Sequence, residues 1–446
     1  MEDSFGEPPA LHVTHESETA RASLKVSCGS EGQCGPSQSP RLRRKFSGRR
    51  DDGEDEDALL EPPKSRVLVL YIGGTIGMTR GPAGWEPQKG LLSRLLLGNS
   101  KFHAPDAPPG HMPVSQWGRR VVWTLQERDV LLDSSDMDVT DWIWVAKEIK
   151  KQYDNYDGFV LIQGTDTLTY TASALSFMCR YLAKTVIVTG SQVPMLLQPN
   201  DAESNLFGSI CIAGHFEIPE VCVFFNGKLM RGNRTSKFDA TGFDAFVSHN
   251  YPPLLVWGPQ VKVKWSAVRT SADVEFLTHP FSVVTCMSTD VAVLRLFPGI
   301  SASFLRAALQ PPLKGCVLMT YGAGNVSVRA KHVIECLKEA NERGVLFINI
   351  TQCVRGVVTS DYATGHALLD AGVQPGHDMT CEAAVSKLSF LLGLVESGEY
   401  SLERARAELS IPARGEATVP QQVKSFSFRD GSFVSAFVQV EMCAIR

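Results

Sequence analysis

The 446-residue chain has no long apolar run. Nothing in it approaches the ~20 residues that a membrane-spanning helix needs, so no membrane partner is expected. It also lacks a strong excess of either charge: 44 Lys and Arg against 48 Asp and Glu leave a formal net charge of −4. That balance speaks against nucleic acid as a partner. None of its eleven cysteines stands in a C-x-x-C pair. Cys179, Cys211, Cys316 and Cys381 are scattered singly, which argues against a zinc site or a thioredoxin-like centre and fits a reducing compartment. The opening residues Met1-Glu2-Asp3-Ser4-Phe5-Gly6-Glu7 supply neither a basic nor an apolar segment, so no secretory signal is expected and the location is read as cytoplasmic. Also missing are a properly placed G-x-G-x-x-G fingerprint and a G-x-x-x-x-G-K-[ST] loop, which removes the main support for dinucleotide or nucleotide chemistry.

What is present is a chain with 43% hydrophobic and 21% charged residues, long enough for two or three domains. Residues 1–64 read as a disordered tail rich in Ser, Gly, Pro and charge. It contains a basic block (Arg41, Arg43, Arg44, Lys45, Arg49, Arg50) followed by an acidic one (Asp51, Asp52, Glu54, Asp55, Glu56, Asp57). Ser47, beside the basic block, is a candidate phosphorylation site. From Arg66 the pattern becomes regular. Apolar strand-like runs at 66–72, 158–163, 185–190 and 220–226 alternate with helix-like stretches at 140–151, 167–183 and 203–214, the first opening on Thr140-Asp141 as N-cap. After a less regular stretch near 265–290, strands at 291–297, 315–321 and 344–350 alternate with helices at 301–309, 329–342 and 379–395. Such alternation implies βαβ units and parallel sheets. The expected organisation is an α/β domain over 65–268, a linker at 269–290, a smaller α/β domain over 291–419 and an extension at 420–446. Period-two alternation through Phe433–Val440, with Asp430-Gly431 upstream, suggests a terminal hairpin.

Two threonines follow strand-like runs in glycine-flanked turns: Thr75 in Gly73-Gly74-Thr75-Ile76-Gly77 and Thr165 in Gly164-Thr165-Asp166-Thr167. In an open α/β sheet, ligands bind beyond the carboxyl ends of the strands, so both hydroxyls fit one crevice. Taken singly, each motif has a plain alternative. A Gly-Gly-Thr turn is commonly just a turn, and Asp166 is placed as well for capping the next helix as for chemistry. The loop Asp133-Ser134-Ser135-Asp136 reads in isolation as a turn, yet offers acceptors and donors suited to a zwitterionic amino acid. Lys237, after Arg231-Gly232-Asn233-Arg234-Thr235-Ser236, is either surface charge or, if buried beside Asp166, the base that a weakly nucleophilic threonine needs.

In their order along the chain, these segments resemble the L-asparaginases, specifically the cytoplasmic, type I-like branch. The resemblance runs from about Val67 to about Thr418. It also includes Ser173-Ala174-Leu175-Ser176-Phe177-Met178, Val188-Thr189-Gly190-Ser191-Gln192 and Arg414-Gly415-Glu416. It implies a larger N-terminal Rossmann-like domain, a smaller C-terminal α/β domain and hydrolysis of L-asparagine to L-aspartate and ammonia without metal or organic cofactor. It further implies Thr75 as nucleophile, with Thr165, Asp166 and Lys237 as a second triad. Asp133, Ser134, Ser135, Gly74 and Gly164 become the substrate-binding set, and a homodimer or homotetramer is expected.

Two departures stand out. Many members carry a tyrosine in the flexible loop after the first glycine motif, where this chain has Trp85 in Gly84-Trp85-Glu86-Pro87. Thr351-Gln352-Cys353 matches part of an effector-binding site known in this branch, but Met319 stands where some relatives have an arginine, which removes a bidentate carboxylate grip. Rival readings are a non-catalytic asparagine sensor, a glutaminase or lysophospholipase-like hydrolase on the same fold, and an NAD-dependent oxidoreductase that lacks its fingerprint.

Overall fold

The computed structural model describes residues 62–82, 84–269, 279–327, 329–359 and 363–419. Residues 1–61 of the expected tail, with its charge blocks and Ser47, and the expected terminal hairpin lie outside the described residues; the tail's last residue, Lys64, already begins the first strand.

The apolar run Val67-Leu68-Val69-Leu70-Tyr71-Ile72 forms the middle of strand β1 (Lys64–Gly73). Successive side chains of a strand face opposite ways. Val67, Val69 and Tyr71 therefore enter one hydrophobic core, and Leu68, Leu70 and Ile72 enter another on the far face. Burial on both faces is why this strand reads as continuously apolar rather than alternating. The sheet continues with β2 (Arg120–Leu132), β3 (Gly158–Ile162), β4 (Thr185–Thr189), β5 (Val221–Phe225), β6 (Lys228–Arg231), β7 (Leu255–Val256) and β8 (Lys262–Val263). Spatial order is β8-β7-β6-β5-β4-β3-β1-β2. The strands from β2 to β5 are parallel, and β6, β7 and β8 add to the edge antiparallel. The β5–β6 connection is Asn226-Gly227, both at positive φ, the conformation that a tight Asn-Gly hairpin turn requires.

Helices α1 (Leu91–Leu97), α2 (Val139–Gln152), α3 (Leu168–Met178) and α4 (Ala202–His215) cover the sheet. Leu92 and Leu96 of α1 pack with Leu206 and Ile210 of α4 on one face; Trp142, Val145 and Ile149 of α2 pack with Leu168, Ala172 and Leu175 of α3 on the other. The N-cap of α2 is Asp138 rather than Thr140 or Asp141. Its carboxylate accepts from Thr140 N at 2.7 Å, and Asp141 returns a bond to Asp138 N at 2.8 Å. This reciprocal box satisfies two orphan donors at once, which a cap at Thr140 would not. Helix α3 stops at Met178, short of the expected 183, because Cys179–Arg180 turns into a strand paired with Ser282–Val283 and Tyr181 takes a left-handed φ of 58°.

The smaller sheet is fully parallel, in the order β9 (Val291–Arg295), β10 (Gly315–Thr320), β11 (Leu346–Thr351), β12 (Val373–Pro375). Helices α5 (Ala302–Ala308), α6 (Lys331–Glu342), α7 (Ala363–Asp370), α8 (Cys381–Glu396) and α9 (Leu402–Glu408) accompany it. The fold is thus α/β with a larger and a smaller sheet, as the resemblance implies. The two halves share core: Phe177 of α3 belongs to the cluster built around α8 and stacks on Phe390 at 5.9 Å. A buried ion pair ties the seam: Arg234 holds both oxygens of Asp378 at 2.6 and 2.7 Å. Behind it, within the smaller half, Lys387 meets Glu416 at 2.7 Å, and Glu416 O accepts from Arg234 at 2.9 Å.

Candidate active site

In the order β2-β1-β3-β4-β5, the chain leaves β1 toward one neighbour and later elements build on the other side. The carboxyl ends of β1 and β3 therefore flank a topological switch point, the place where such sheets bind ligands. The turn bearing Thr75 leaves β1 there, and the turn bearing Thr165 leaves β3. The two turns touch through glycine. Gly74 sits at φ +87°, and a Cβ on it would lie 2.2 Å from the Gly164 nitrogen; a Cβ on Gly164 would lie 2.5 Å from that of Ser134. No side chain fits at either position, so the turns after β1, β3 and β2 close on one another. Gly74 N–H donates to Leu132 O at 3.0 Å, fastening the first turn to the end of β2. Thr75, half-buried, begins the 3₁₀ turn Thr75–Gly77.

Lys237 reaches the same crevice from a short strand, Ser236–Lys237, paired with Phe246–Val247. Its Nζ lies 2.8 Å from Thr165 Oγ1 and 2.6 Å from Asp166 Oδ1. The lysine side chain is 16% exposed and the aspartate 66%, so one end of the pair is desolvated and the other opens to water. Asp166 does not cap α3, whose N-cap is Thr167. Instead its Oδ2 accepts from Ser134 Oγ at 3.4 Å. Thr165 Oγ1 donates its proton to Gln192 Oε1 at 3.1 Å, so its lone pairs face Lys237. The loop that carries Gln192 is fixed by Asp201, whose carboxylate accepts from the N–H groups of Gln192 and Val193 and from Asn205 Nδ2. Burial pushes the Asp201 carboxyl up, against the pull of those donors.

Ser134 is buried against Gly164, whereas Asp133 and Ser135 are exposed at the crevice edge. The Asp133 carboxylate accepts from both N–H and hydroxyl of Ser135, at 2.9 and 2.8 Å, and so shapes its own loop. Thr351, Gln352 and Cys353 stand apart from this crevice, at the carboxyl end of β11. The Thr351 hydroxyl donates to Gly322 O and accepts from Cys353 N; Gln352 Nε2 donates to the carbonyls of Leu296 and Met319. These polar groups are engaged in holding the loop. Trp85 is exposed on a hairpin of Met78–Gly81 with Gly84–Pro87.

The sequence pattern gave no role to Gln192 or to Glu382. The latter, in the first turn of α8, accepts from Ser236 Oγ at 2.9 Å and Thr169 Oγ1 at 3.3 Å, and burial pushes its carboxyl up. The smaller domain thereby anchors the residue adjoining Lys237. No local signal in the sequence marks this long-range contact. Among the described residues, no group of three or more His, Cys, Asp or Glu side chains is arranged to hold a metal ion, and no helix is long and apolar enough to cross a membrane.

Comparison with known proteins agrees with this architecture. The family model for the asparaginase N-terminal domain matches residues 66–269, and the glutaminase/asparaginase C-terminal domain matches 290–409. L-asparaginase 1 of Escherichia coli (strain K12) is 42% identical over 356 residues, 80% of this chain and 98% of that protein. A protein of Mus musculus named 60 kDa lysophospholipase is 42% identical over 366 residues, 80% of this chain but 63% of its own length, so the chain spans less than two thirds of that relative. Among solved structures, L-asparaginase I from Vibrio cholerae superposes with a TM-score of 0.70 at 39% identity, covering 80% of this chain and all of that one. With both family domains matched in order and a bacterial relative covered almost end to end, the chain belongs to the L-asparaginase family.

Proposed function

We propose that the chain is an L-asparagine amidohydrolase that forms L-aspartate and ammonia through a threonine acyl-enzyme. The observation that carries this reading is the Lys237–Thr165–Asp166 cluster, with contacts of 2.8 and 2.6 Å, in the crevice that Thr75 also borders. Thr75 Oγ1 bonds to the side-chain amide carbon. Its proton passes to the departing nitrogen through Thr165 and Lys237, and ammonia leaves. Water then attacks the ester, its proton restores the Thr75 hydroxyl, and aspartate is released. Gly74 N–H is committed to Leu132 O, so stabilisation of the oxyanion falls to other donors of the two turns, the Thr165 N–H among them. Asp133, Ser134 and Ser135 receive the substrate's α-amino and α-carboxylate groups. The cytoplasmic location and a homodimeric or homotetrameric state belong to the same proposal; light scattering of the purified protein tests the latter.

The test is ammonia release against a concentration series of L-asparagine, with L-glutamine alongside. Turnover specific to asparagine is expected, falling about a thousandfold in Thr75→Val, which keeps the shape and loses the hydroxyl. Undiminished turnover in that variant removes Thr75 as nucleophile. A flat trace with asparagine still raising the melting temperature favours the sensor. The name of the mouse relative supports one further arm, release of fatty acid from a lysophospholipid. Activity there with none on asparagine would replace the first reading.

A further inference from the structure

A cavity of about 200 Å³ opens at the opposite end of the larger sheet. Glu220, which lines it, directly precedes β5, and Arg231, also lining it, pairs with Cys222 at the start of that strand. The cavity therefore sits at the amino end of β5, whereas Thr75 and Thr165 sit beyond carboxyl ends. Among the described residues that line it are the guanidiniums of Arg231, Arg269 and Arg414 and the carboxylate of Glu220. That carboxylate is already satisfied: Arg231 holds both its oxygens at 2.5 and 3.1 Å, and Arg269 N donates to it at 2.6 Å. Arg414 has no such partner among the described residues. Its side chain donates to Ala413 O at 3.1 Å, while the nearby Glu416 is paired with Lys387. Burial pushes the Arg414 guanidinium down; the Glu416 carboxylate opposes this in part and the Arg180 charge adds to it. Burial and the Arg414 charge likewise lower Arg269, against the pull of Glu220 and Glu416. A half-buried guanidinium without an ion pair of its own, such as that of Arg414, is stabilised when an anion joins it.

A second observation points the same way. Asn233 lines the cavity and is 1% exposed. Its Nδ2 donates to Arg414 O at 3.1 Å, but its Oδ1 is buried with no hydrogen-bond partner. Buried side-chain acceptors are almost always paired, so this one marks a missing donor. We propose that the cavity binds a small oxyanion, a carboxylate or a phosphate, held by Arg414 beside Arg269, with a hydroxyl on the same molecule donating to Asn233 Oδ1.

The test uses the full chain, with inorganic phosphate and glycolate as separate probes, each followed by calorimetric titration and thermal unfolding against sodium chloride at matched ionic strength. Both probes combine an oxyanion with a hydroxyl. Saturable binding of at least one is expected, about tenfold or more weaker in Arg414→Gln, from the loss of a charge-assisted hydrogen bond. Ala413→Phe, at an exposed lining position, fills the opening while keeping every arginine, and is expected to abolish binding even if Arg414→Gln is poorly folded. Thr75→Val is expected to bind as wild type, which separates this cavity from the candidate active site. Saturation by phosphate alone assigns a phosphate-bearing ligand, and by glycolate alone a carboxylate. No saturation by either probe, or unchanged binding in Ala413→Phe, overturns the proposal.

Discussion

Within seven residues, Arg231 to Lys237, the chain supplies two ionic clusters of opposite character. Arg234 is 1% exposed, and its guanidinium is saturated by Asp378, the carbonyls of Glu416 and Asn250 and the Thr418 hydroxyl. Lys237, three residues on, shares its charge with a largely exposed aspartate and a threonine hydroxyl. Both terminal nitrogens of the first cluster's guanidinium are taken up by the protein. The second keeps water and open space beside its charge. A seam between domains needs the first arrangement, because any unpaired group there costs its full desolvation. A reacting centre needs the second, because its groups must exchange partners during turnover.

The strongest way to break the comparison is to remove one partner from each cluster. Arg234→Leu leaves Asp378 buried and unpaired, and is expected to cost about 3–5 kcal/mol in urea unfolding. Lys237→Met leaves Asp166 mostly in water and is expected to cost about 1 kcal/mol or less, while abolishing most asparagine turnover. Equal losses of stability in the two variants would show that the seam and the site are not built on different principles.

The buried Lys387–Glu416 pair behind the seam is also open to pH. Burial alone would raise the Glu416 carboxyl, but Lys387 beside it and the N–H groups of Ala413 and Arg414 outweigh this, and the net shift is downward. A carboxyl lowered by folding stabilises the folded state fully above its unfolded value of about 4.3. That contribution is lost as pH falls through the lower folded value. Glu416→Gln is therefore expected to be about 3 kcal/mol less stable than wild type at neutral pH, with the gap closing below about pH 4. A gap that stays constant down to pH 3 would refute the ionic account of this pair. A smaller effect is expected at Gln192. Replacing it by Leu removes the acceptor that aims the Thr165 hydroxyl, and is expected to lower kcat about tenfold while changing stability by less than about 1 kcal/mol.

The same contrast explains what could be read from the sequence. Gly74, Thr75, Gly164, Thr165 and Asp166 were legible because a glycine turn after an apolar strand is a local pattern. The pairing of Lys237 with Asp166 spans 71 positions, and that of Arg234 with Asp378 spans 144; no local pattern encodes either, and the residues raised the first only as a conditional that the family resemblance then made an expectation. Strand β2 escaped notice because its second half, Gln126-Glu127-Arg128-Asp129, is polar. As the outermost strand of the sheet, it can tolerate such residues where β1 and β3 cannot. The N-cap of α2 was displaced from Thr140 to Asp138 because several residues there have capping chemistry, and the choice rests on which pair closes reciprocally.

Trp85 gives the smallest and most discriminating test. It is 45% exposed on the hairpin beside the Thr75 turn, with Arg80 as its cross-strand partner. Trp85→Tyr is expected to change stability by less than about 0.5 kcal/mol, as surface replacements commonly do. The new hydroxyl restores the group that the family resemblance expects beside the nucleophile. If the hairpin delivers it to Thr75, kcat on asparagine should rise about threefold with KM unchanged, the signature of help given only in the transition state. If kcat stays at the wild-type value, the hairpin takes no part in activating Thr75. The proton traffic would then run wholly through Thr165 and Lys237, and the loss on Lys237→Met would measure all of it.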